Sequence, residues 1–585
     1  MTADAPKFRW IGPSLCVLAF LSMLALSWQR WADPIVDFGR ELYVPWRLAE
    51  GEKLYRDVQY FSGPVSPFFN SIFIRIFGLK LMTLASVNLI LFAGLCVGLY
   101  RLGTRVTDRA SATFATIAVI VTCGFGRLTQ MANFNFVTPY SHEMTHSIVL
   151  SIAAIVMLDC WMRTGRRAWL MAIGACVGVT TLMKPEVFLA IFSAIGIGVL
   201  LSARRVMAKD VALLIASFII APALILVVSG DPISSLGAIR FVTDERISSL
   251  PFYKMVTGLD KVGFNLELAA ARAFYFVAFG GLLWYIARHQ RVRSSLWIEI
   301  ALGLGVGAIG LFLSRLFFES IGDAIIFVWG LTPTAFTFLM PIAGLVFCWR
   351  ALRSKRDHTD HSSALLAVLC VFAAIMLAKI ALRVSFQHYG FALAMPALFV
   401  FALLSIGWMP KQIELKGGSR ALFRIGAIGV FSALVAAHLY VTIGRLSQLT
   451  LKIESPVATL RVDPRLTINT ETKRVLDELH RIAQPTDTLA AVPEGAMLNV
   501  LSERSNPTGA IVTMPVEIFM FDESNVLERF EKNPPDWLVI RTSSMEEEYG
   551  ARGIEYMPQV RAFLAKNYQP FEAERENGLR IYRRR

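Results

Sequence analysis

Lys184, Arg315, Lys379 and Arg383 stand at the ends of long apolar stretches, where a charge is out of place unless something holds it. A cation at that depth faces the protein interior and marks a pathway or an anionic ligand, or its long stem snorkels to the headgroups. Three readings follow: a phosphate ligand, snorkelling, or internal ion pairs with acids such as Glu186 or Glu319. Lys379 and Arg383 are four residues apart, which on an α-helix puts them on one face. His142 and His146 share the same spacing, and with Glu143 they form a candidate metal set. No further strong ligand stands beside them, so a divalent metal stays open and no cofactor is assigned.

The chain that must position these groups has 585 residues, 55% hydrophobic and 17% charged. Soluble domains carry about 25% charged residues. One core cannot hide so large an apolar surplus, and a membrane protein with several spans is what remains. All seven cysteines fall in apolar stretches without metal-ligand spacing and read as small buried hydrophobes.

A bilayer core about 30 Å thick takes roughly 20 apolar residues of helix. Thirteen spans are read near 10–28, 79–100, 111–125, 146–162, 168–183, 187–202, 211–229, 271–287, 296–317, 330–349, 363–383, 390–408 and 421–443. The pair at 168–202 is short enough to be one span. Arg163, Arg166 and Arg167 precede it and Arg204, Arg205 and Lys209 follow, so both flanks are on the basic, cytoplasmic side and the chain turns back at Lys184-Pro185-Glu186. Every second connection is short and basic, which places the amino terminus inside and the carboxyl terminus outside. The net charge of +14 is thereby used mostly by topology, and nucleic acid is excluded as a partner. The first stretch has a basic start but no small-residue cleavage site, and reads as an uncleaved anchor.

The first outer loop, 29–78, mixes aromatic residues with charges, as amphipathic helices in the interface plane do. The second carries Tyr140, His142 and Glu143, and the fourth, 230–270, is long and polar. From 444 to 585 the pattern changes. Val475, Leu476, Leu479 and Ile482 mark an amphipathic helix. Strands are predicted at 488–492, 537–540 and 579–583, and helices near 494–503 and 557–567. The expected architecture is a polytopic α-helical membrane region, 1–443, with a small α/β extracytoplasmic domain, 444–585, that guides an acceptor without contributing to the chemistry.

Several segments carry a resemblance. They are Asp37-Phe38-Gly39-Arg40-Glu41-Leu42-Tyr43 after the first span, Leu182-Met183-Lys184-Pro185-Glu186, and Ala491-Val492-Pro493-Glu494-Gly495-Ala496-Met497-Leu498-Asn499 in the outer domain. With the many spans and the outer carboxyl-terminal domain, they make the chain resemble the GT-C glycosyltransferases. The likeness is to family 39, the dolichyl-phosphate-mannose protein mannosyltransferases and bacterial aminoarabinose lipid A transferases. The Asp-Glu pair usual in the protein mannosyltransferases is absent: Phe38 follows Asp37, and Glu41 lies four residues on.

The resemblance implies an inverting glycosyltransferase of the bacterial cytoplasmic membrane. Its donor would be a polyprenyl-phosphate sugar and its acceptor an extracytoplasmic lipid, polysaccharide or protein. Such chemistry needs a carboxylate to take the acceptor's proton and cations to bear the charge returning to the phosphate. The resemblance gives Asp37 the first role and Lys379, Arg383, Lys184 and Arg315 the second. Asp37 has a plainer reading as the N-cap of a helix beginning at Phe38. Glu143 is the second carboxylate to consider. Arg40, Glu41, Tyr140, His142, Glu186, His388 and Tyr389 are further substrate contacts, Glu41 alternatively pairing with Arg40, and His388 and Tyr389 alternatively acting as interface anchors. Two other function classes remain: a glycolipid transporter or flippase, and a non-catalytic subunit of cell-envelope assembly. Paired halves with broken helices, the mark of the former, are not seen in the sequence.

Overall fold

The computed structural model describes residues 10–202, 204, 206–289, 297, 301, 303–305, 332–354, 361–542, 544–545, 549–572 and 578–585. The amino-terminal three-quarters is helical. It opens with α1 (Ile11–Leu26), α2 (Phe38–Ala49), α3 (Val65–Phe77), α4 (Leu81–Val106), α5 (Arg109–Val119), α6 (His142–Thr164), α7 (Arg167–Thr180), α8 (Pro185–Leu201) and α9 (Ala208–Ser229). Among the described residues eight helices are long and apolar enough to cross a membrane, and shorter apolar helices accompany them. Each expected span coincides with one of these apolar helices, except the ninth, 296–317, most of which lies outside the described residues together with Arg315 and Glu319.

The break between α7 and α8 follows from its residues. Pro185 occupies the first turn of α8, where a missing N–H costs nothing, and Lys184 before it is extended. The two short stretches are therefore two helices. Gly63 of the first outer loop packs directly on this turn: a Cβ there would lie 1.7 Å from the Leu182 carbonyl oxygen.

The first outer loop departs from the expectation of helices lying among headgroups. α3 does expose Ile72, Ile76 and Phe77, but α2 buries Phe38, Leu42, Tyr43, Val44 and Trp46. What covers α2 is the outer region. A Cβ on Gly39 would stand 2.1 Å from the Met497 backbone nitrogen, so only glycine lets the two backbones meet. The Tyr43 hydroxyl accepts a hydrogen bond from Asn506 N at 2.7 Å.

The fourth outer loop forms three short helices, α10 (Gly237–Thr243), α11 (Glu245–Ser248) and α12 (Pro251–Thr257), before α13 (Val262–His289). They rest on the outer helix Pro515–Phe521, where Arg240 and Arg246 each donate to the Phe519 carbonyl, at 3.2 and 2.9 Å. Ile247 and Leu250 pack there with Val516 and Met520.

After the last long helix, Arg420–Ser447, the chain becomes α/β. A hairpin of β1 (Leu451–Glu454) and β2 (Thr459–Val462) precedes a four-stranded sheet of β3 (Leu489–Val492), β4 (Trp537–Arg541), β7 (Tyr568–Pro570) and β8 (Leu579–Arg584). A two-stranded β5 (Ser544–Met545) and β6 (Ala551–Arg552) pairing lies beside it. The order in the main sheet is β3-β4-β8-β7, with β3 and β4 parallel and the others antiparallel. Both faces are covered, so β3 is buried at every position. One face holds Ala490, Val492 and Leu538 against Val526, Phe530, Val560 and Leu564. On the other, Leu489, Ala491, Val539 and Ile581 join the helix Thr467–Ile482 in a core continuous with that of the helical region.

Candidate active site

Asp37 owes its placement to a staple between two outer loops. The Asp33 carboxylate accepts from Ile35 N at 3.0 Å and Val36 N at 2.9 Å, folding the chain back before α2. Asn133 of the second loop fastens it on both sides, accepting from Asp33 N at 3.2 Å and donating to the Val36 carbonyl at 2.8 Å. Asp37 is then the centre of a three-residue turn with φ 54° and ψ −64°, closed by Phe38 N donating to Val36 O at 2.7 Å. A non-glycine residue in that region is strained and persists only where its surroundings over-determine it. Asp37 occupies the N-cap position, but its side chain makes no capping bond. The carboxylate turns into a cavity instead.

That cavity, about 170 Å³, lies where the helical region meets the outer domain. Asp37, Arg40 and Ser62 come from the first outer loop, Phe134, Tyr140 and Ser141 from the second, and Lys184 from the α7–α8 turn. Lys379, His388 and Tyr389 form another side, and Phe241, Phe252 and Tyr253 of the fourth loop another. The outer domain closes it with Glu494, Glu517 and Arg541. The Asp37 side chain is 26% exposed and lines this space.

The charges are arranged in depth. Lys379 Nζ donates to Glu186 Oε1 at 2.8 Å and sits 5.1 Å from the Tyr389 ring centroid. Lys184 has no ion-pair partner among the described residues. Burial lowers its affinity for a proton, and Glu186 and Glu143 pull the other way. Arg40 holds the middle, donating to the Tyr140 carbonyl at 3.0 Å, 3.3 Å from Glu41 and 3.8 Å from Asp37. At the outer side Arg541 lies 3.7 Å from Glu494. Glu517 is buried without an ion-pair partner among the described residues.

Burial raises Asp37 above the usual carboxylate range. Arg40 opposes the rise, and Glu41 and Asp33 add to it. Glu494 is raised by burial and then by Asp37, against Arg541. Burial pushes Glu517 up to about 7, with Arg40 opposing. His388 is pushed down to about 4 by burial and by Arg383. Acids held near neutrality in an enclosed site suit proton transfer.

The other sequence-derived residues lie behind this wall or beside it. The 378–383 segment is a 3₁₀ turn broken at Ile380, and not an α-helix. With three residues per turn, positions four apart diverge by about 120°. Lys379 therefore reaches the cavity while Arg383 donates to the Met255 carbonyl at 3.0 Å and lines a neighbouring space of about 120 Å³, correcting the expected shared face. Glu41 is buried, accepting from His142 N at 2.9 Å and lying 2.7 Å from His142 Nδ1. Glu143 receives the hydroxyls of Tyr60 and, at 2.7 Å, Ser141, and touches the cavity only through Ser141. His146 pairs with Ser66 at 3.1 Å, and among the described residues no three His, Cys, Asp or Glu side chains group as metal ligands.

Among the charged residues of the wall, Glu494, Glu517 and Arg541 were not among the candidate site residues. A signal existed for two of them. Glu494 follows β3 and Arg541 ends β4, the carboxyl ends of two parallel strands, where α/β sheets place ligands. Through them the outer domain, expected to guide an acceptor, forms part of the cavity wall.

Residues 62–229 match the family model for the dolichyl-phosphate-mannose-protein mannosyltransferases. No curated protein matches the chain. Among solved structures, the Archaeoglobus fulgidus oligosaccharyltransferase in complex with zinc and sulfate is 13% identical, over 90% of this chain and 68% of that one, at a TM-score of 0.43. The same enzyme tethered to an acceptor peptide is 14% identical, over 97% and 73%, at 0.45. ArnT from Cupriavidus metallidurans bound to undecaprenyl phosphate is 12% identical, over 99% and 98%, at 0.42. The chain resembles the GT-C membrane glycosyltransferases of the mannosyltransferase kind.

Proposed function

We propose that the protein is an integral-membrane glycosyltransferase that moves a sugar from a polyprenyl-phosphate donor to an extracytoplasmic acceptor, with inversion. The observation that carries the reading is a cavity in which a half-buried carboxylate, Asp37, and a cation with no ion-pair partner among the described residues, Lys184, stand within electrostatic reach of each other. The matched family's name supplies the donor class, a lipid phosphate bearing a sugar. A lipid donor also accounts for a site at the joint between membrane helices and outer domain. A chain of about 55 isoprenoid carbons is held in the bilayer at roughly 0.8 kcal/mol per CH₂.

In the step we assign, the acceptor's hydroxyl or amine attacks the anomeric carbon from the face opposite the phosphate. The new bond forms as the bond to the phosphate oxygen breaks. Asp37 takes the acceptor's proton, and the electron pair leaves on the phosphate, whose returning charge Lys184 and Lys379 bear. Arg40, tied to Tyr140 and beside Asp37, keeps the carboxylate turned inward. Glu494 and Glu517 face the space from the outer side, where an acceptor would arrive. In this reading the amino terminus is cytoplasmic, the cavity and the outer domain are outside, and the membrane is the bacterial cytoplasmic one.

The test is purification in nanodiscs, followed by mass spectrometry of the bound lipid. A polyprenyl phosphate retained by the wild type and lost from Lys184→Ala supports the reading. A protein that retains none and transfers no sugar from added polyprenyl-phosphate donor sinks it.

A further inference from the structure

On the same side of the membrane as the cavity, but outside it, four arginines converge. Arg30 follows α1, Arg127 opens the second outer loop, Arg445 is in the last turn of the helix Arg420–Ser447, and Arg461 is on β2. The backbone brings them together. Arg461 N donates to the Gln29 carbonyl at 2.9 Å, Arg127 N to Thr442 Oγ1 at 3.1 Å, and Arg127 Nη1 to the Arg30 carbonyl at 2.8 Å. Arg461 is near enough to Arg30, and Arg445 to Arg127, for each pair to repel.

Among the described residues none of the four has an ion-pair partner. Two acids close by, Asp33 and Asp463, offset part of this charge at Arg127, but they are outnumbered, and Asp463 also pairs with Arg465 at 2.6 Å. Arg30 Nε is buried without an acceptor. Like charges gathered with a buried donor unmet are costly unless an anion completes them.

The depth of the cluster says which anion. Trp28, 44% exposed, stands at the end of α1, and Tyr440, 71% exposed, lies five residues before Arg445. Exposed tryptophan and tyrosine at helix ends mark the headgroup level. We propose that these arginines bind the phosphate of an anionic membrane lipid at a site separate from the catalytic cavity. The site abuts the cavity wall. Arg127 Nη2 donates to the Gln130 carbonyl at 2.6 Å, at the root of the loop that carries Phe134 and Tyr140 inward.

The side chains of Arg445 and Arg461 make no hydrogen bond to protein among the described residues, so R445Q/R461Q removes charge without removing a structural contact. The full chain is placed in nanodiscs of phosphatidylcholine with and without phosphatidylglycerol. Native mass spectrometry then counts retained phosphatidylglycerol, and a melting curve checks the fold. The wild type should hold one phosphatidylglycerol more than the double variant. Retention at that site should fall about 30-fold, as two basic contacts at a membrane surface imply, with melting unchanged in phosphatidylcholine. Equal retention by both proteins would overturn the proposal. Displacement of that lipid by millimolar inorganic phosphate would also overturn it, since the site would then read a free ion and not a headgroup.

Discussion

On the membrane side of the cavity, Lys184 and Lys379 stand at the ends of apolar helices, and the acid between them, Glu186, already holds Lys379. On the outer side, Glu517 is buried and Glu494 partly buried at the foot of an α/β domain, with Arg541 against Glu494. The first wall is cationic, and in the proposed reading it receives the phosphate. The second is built of acids held near neutrality, which can accept or donate a hydrogen bond to hydroxyls or amines. Asp37 stands between them and is coupled to both: Lys184 lowers it, and it in turn raises Glu494. A group-transfer site needs that asymmetry, with a leaving phosphate on one side of the base and a neutral nucleophile on the other.

The sharpest way to break this contrast is at its centre. Asp37→Asn keeps the shape but cannot take a proton, and sugar transfer at matched expression should fall by about 10²–10⁴. Folding should be little affected, because the side chain caps nothing. In the wild type, protonation of Asp37 on the acid side should switch transfer off. Burial places that limb above the ordinary carboxylate range near pH 4. A pH profile of kcat/KM that stays flat down to that range would contradict it.

Removing the anion grip should have the next largest effect. Lys184→Ala deletes a charge-assisted contact worth roughly 1.5–3 kcal/mol, so donor affinity should fall by about tenfold to 150-fold in a direct binding assay. Arg383→Ala should leave donor affinity nearly unchanged, because its guanidinium points to the Met255 carbonyl and not into the cavity.

The outer wall is probed through stability. Glu517 titrates at about 7 when folded, above its unfolded value, so the folded state binds its proton more tightly. The associated stabilisation is complete below the unfolded value and is lost as pH rises through about 7. Melting should therefore be higher at about pH 5 than at about pH 8, and Glu517→Gln should narrow the gap, by at most about 3 kcal/mol. Gly39→Ala should cost about 1–3 kcal/mol by forcing α2 from Met497, detected as easier proteolysis of the outer domain.

The two walls also differ in how far they could be read from the chain. Lys184 and Lys379 are conspicuous because charge interrupts long apolar runs, and the same contrast located the spans. Strands and helices of the outer domain were legible from periodicity, as Val475, Leu476 and Leu479 show by burying together. Glu494 and Glu517 were not singled out, since an acid in a soluble domain is ordinary until folding buries it. Arg383 was misjudged because spacing implies a face only if the helix is α, and the turn at Ile380 is not. Glu143 was legible as a second carboxylate, but its engagement with Tyr60 and Ser141 depends on loops far apart in sequence.

The division of labour is tested most directly by a single-turnover comparison of Asp37→Asn and Lys184→Ala with radiolabelled polyprenyl-phosphate sugar at saturating and limiting concentrations. Asp37→Asn should bind donor as the wild type does and transfer almost none of it. Lys184→Ala should bind weakly and recover a larger share of its turnover as donor is raised. Wild-type turnover by Asp37→Asn, or the same loss of donor binding in both variants, would contradict the account.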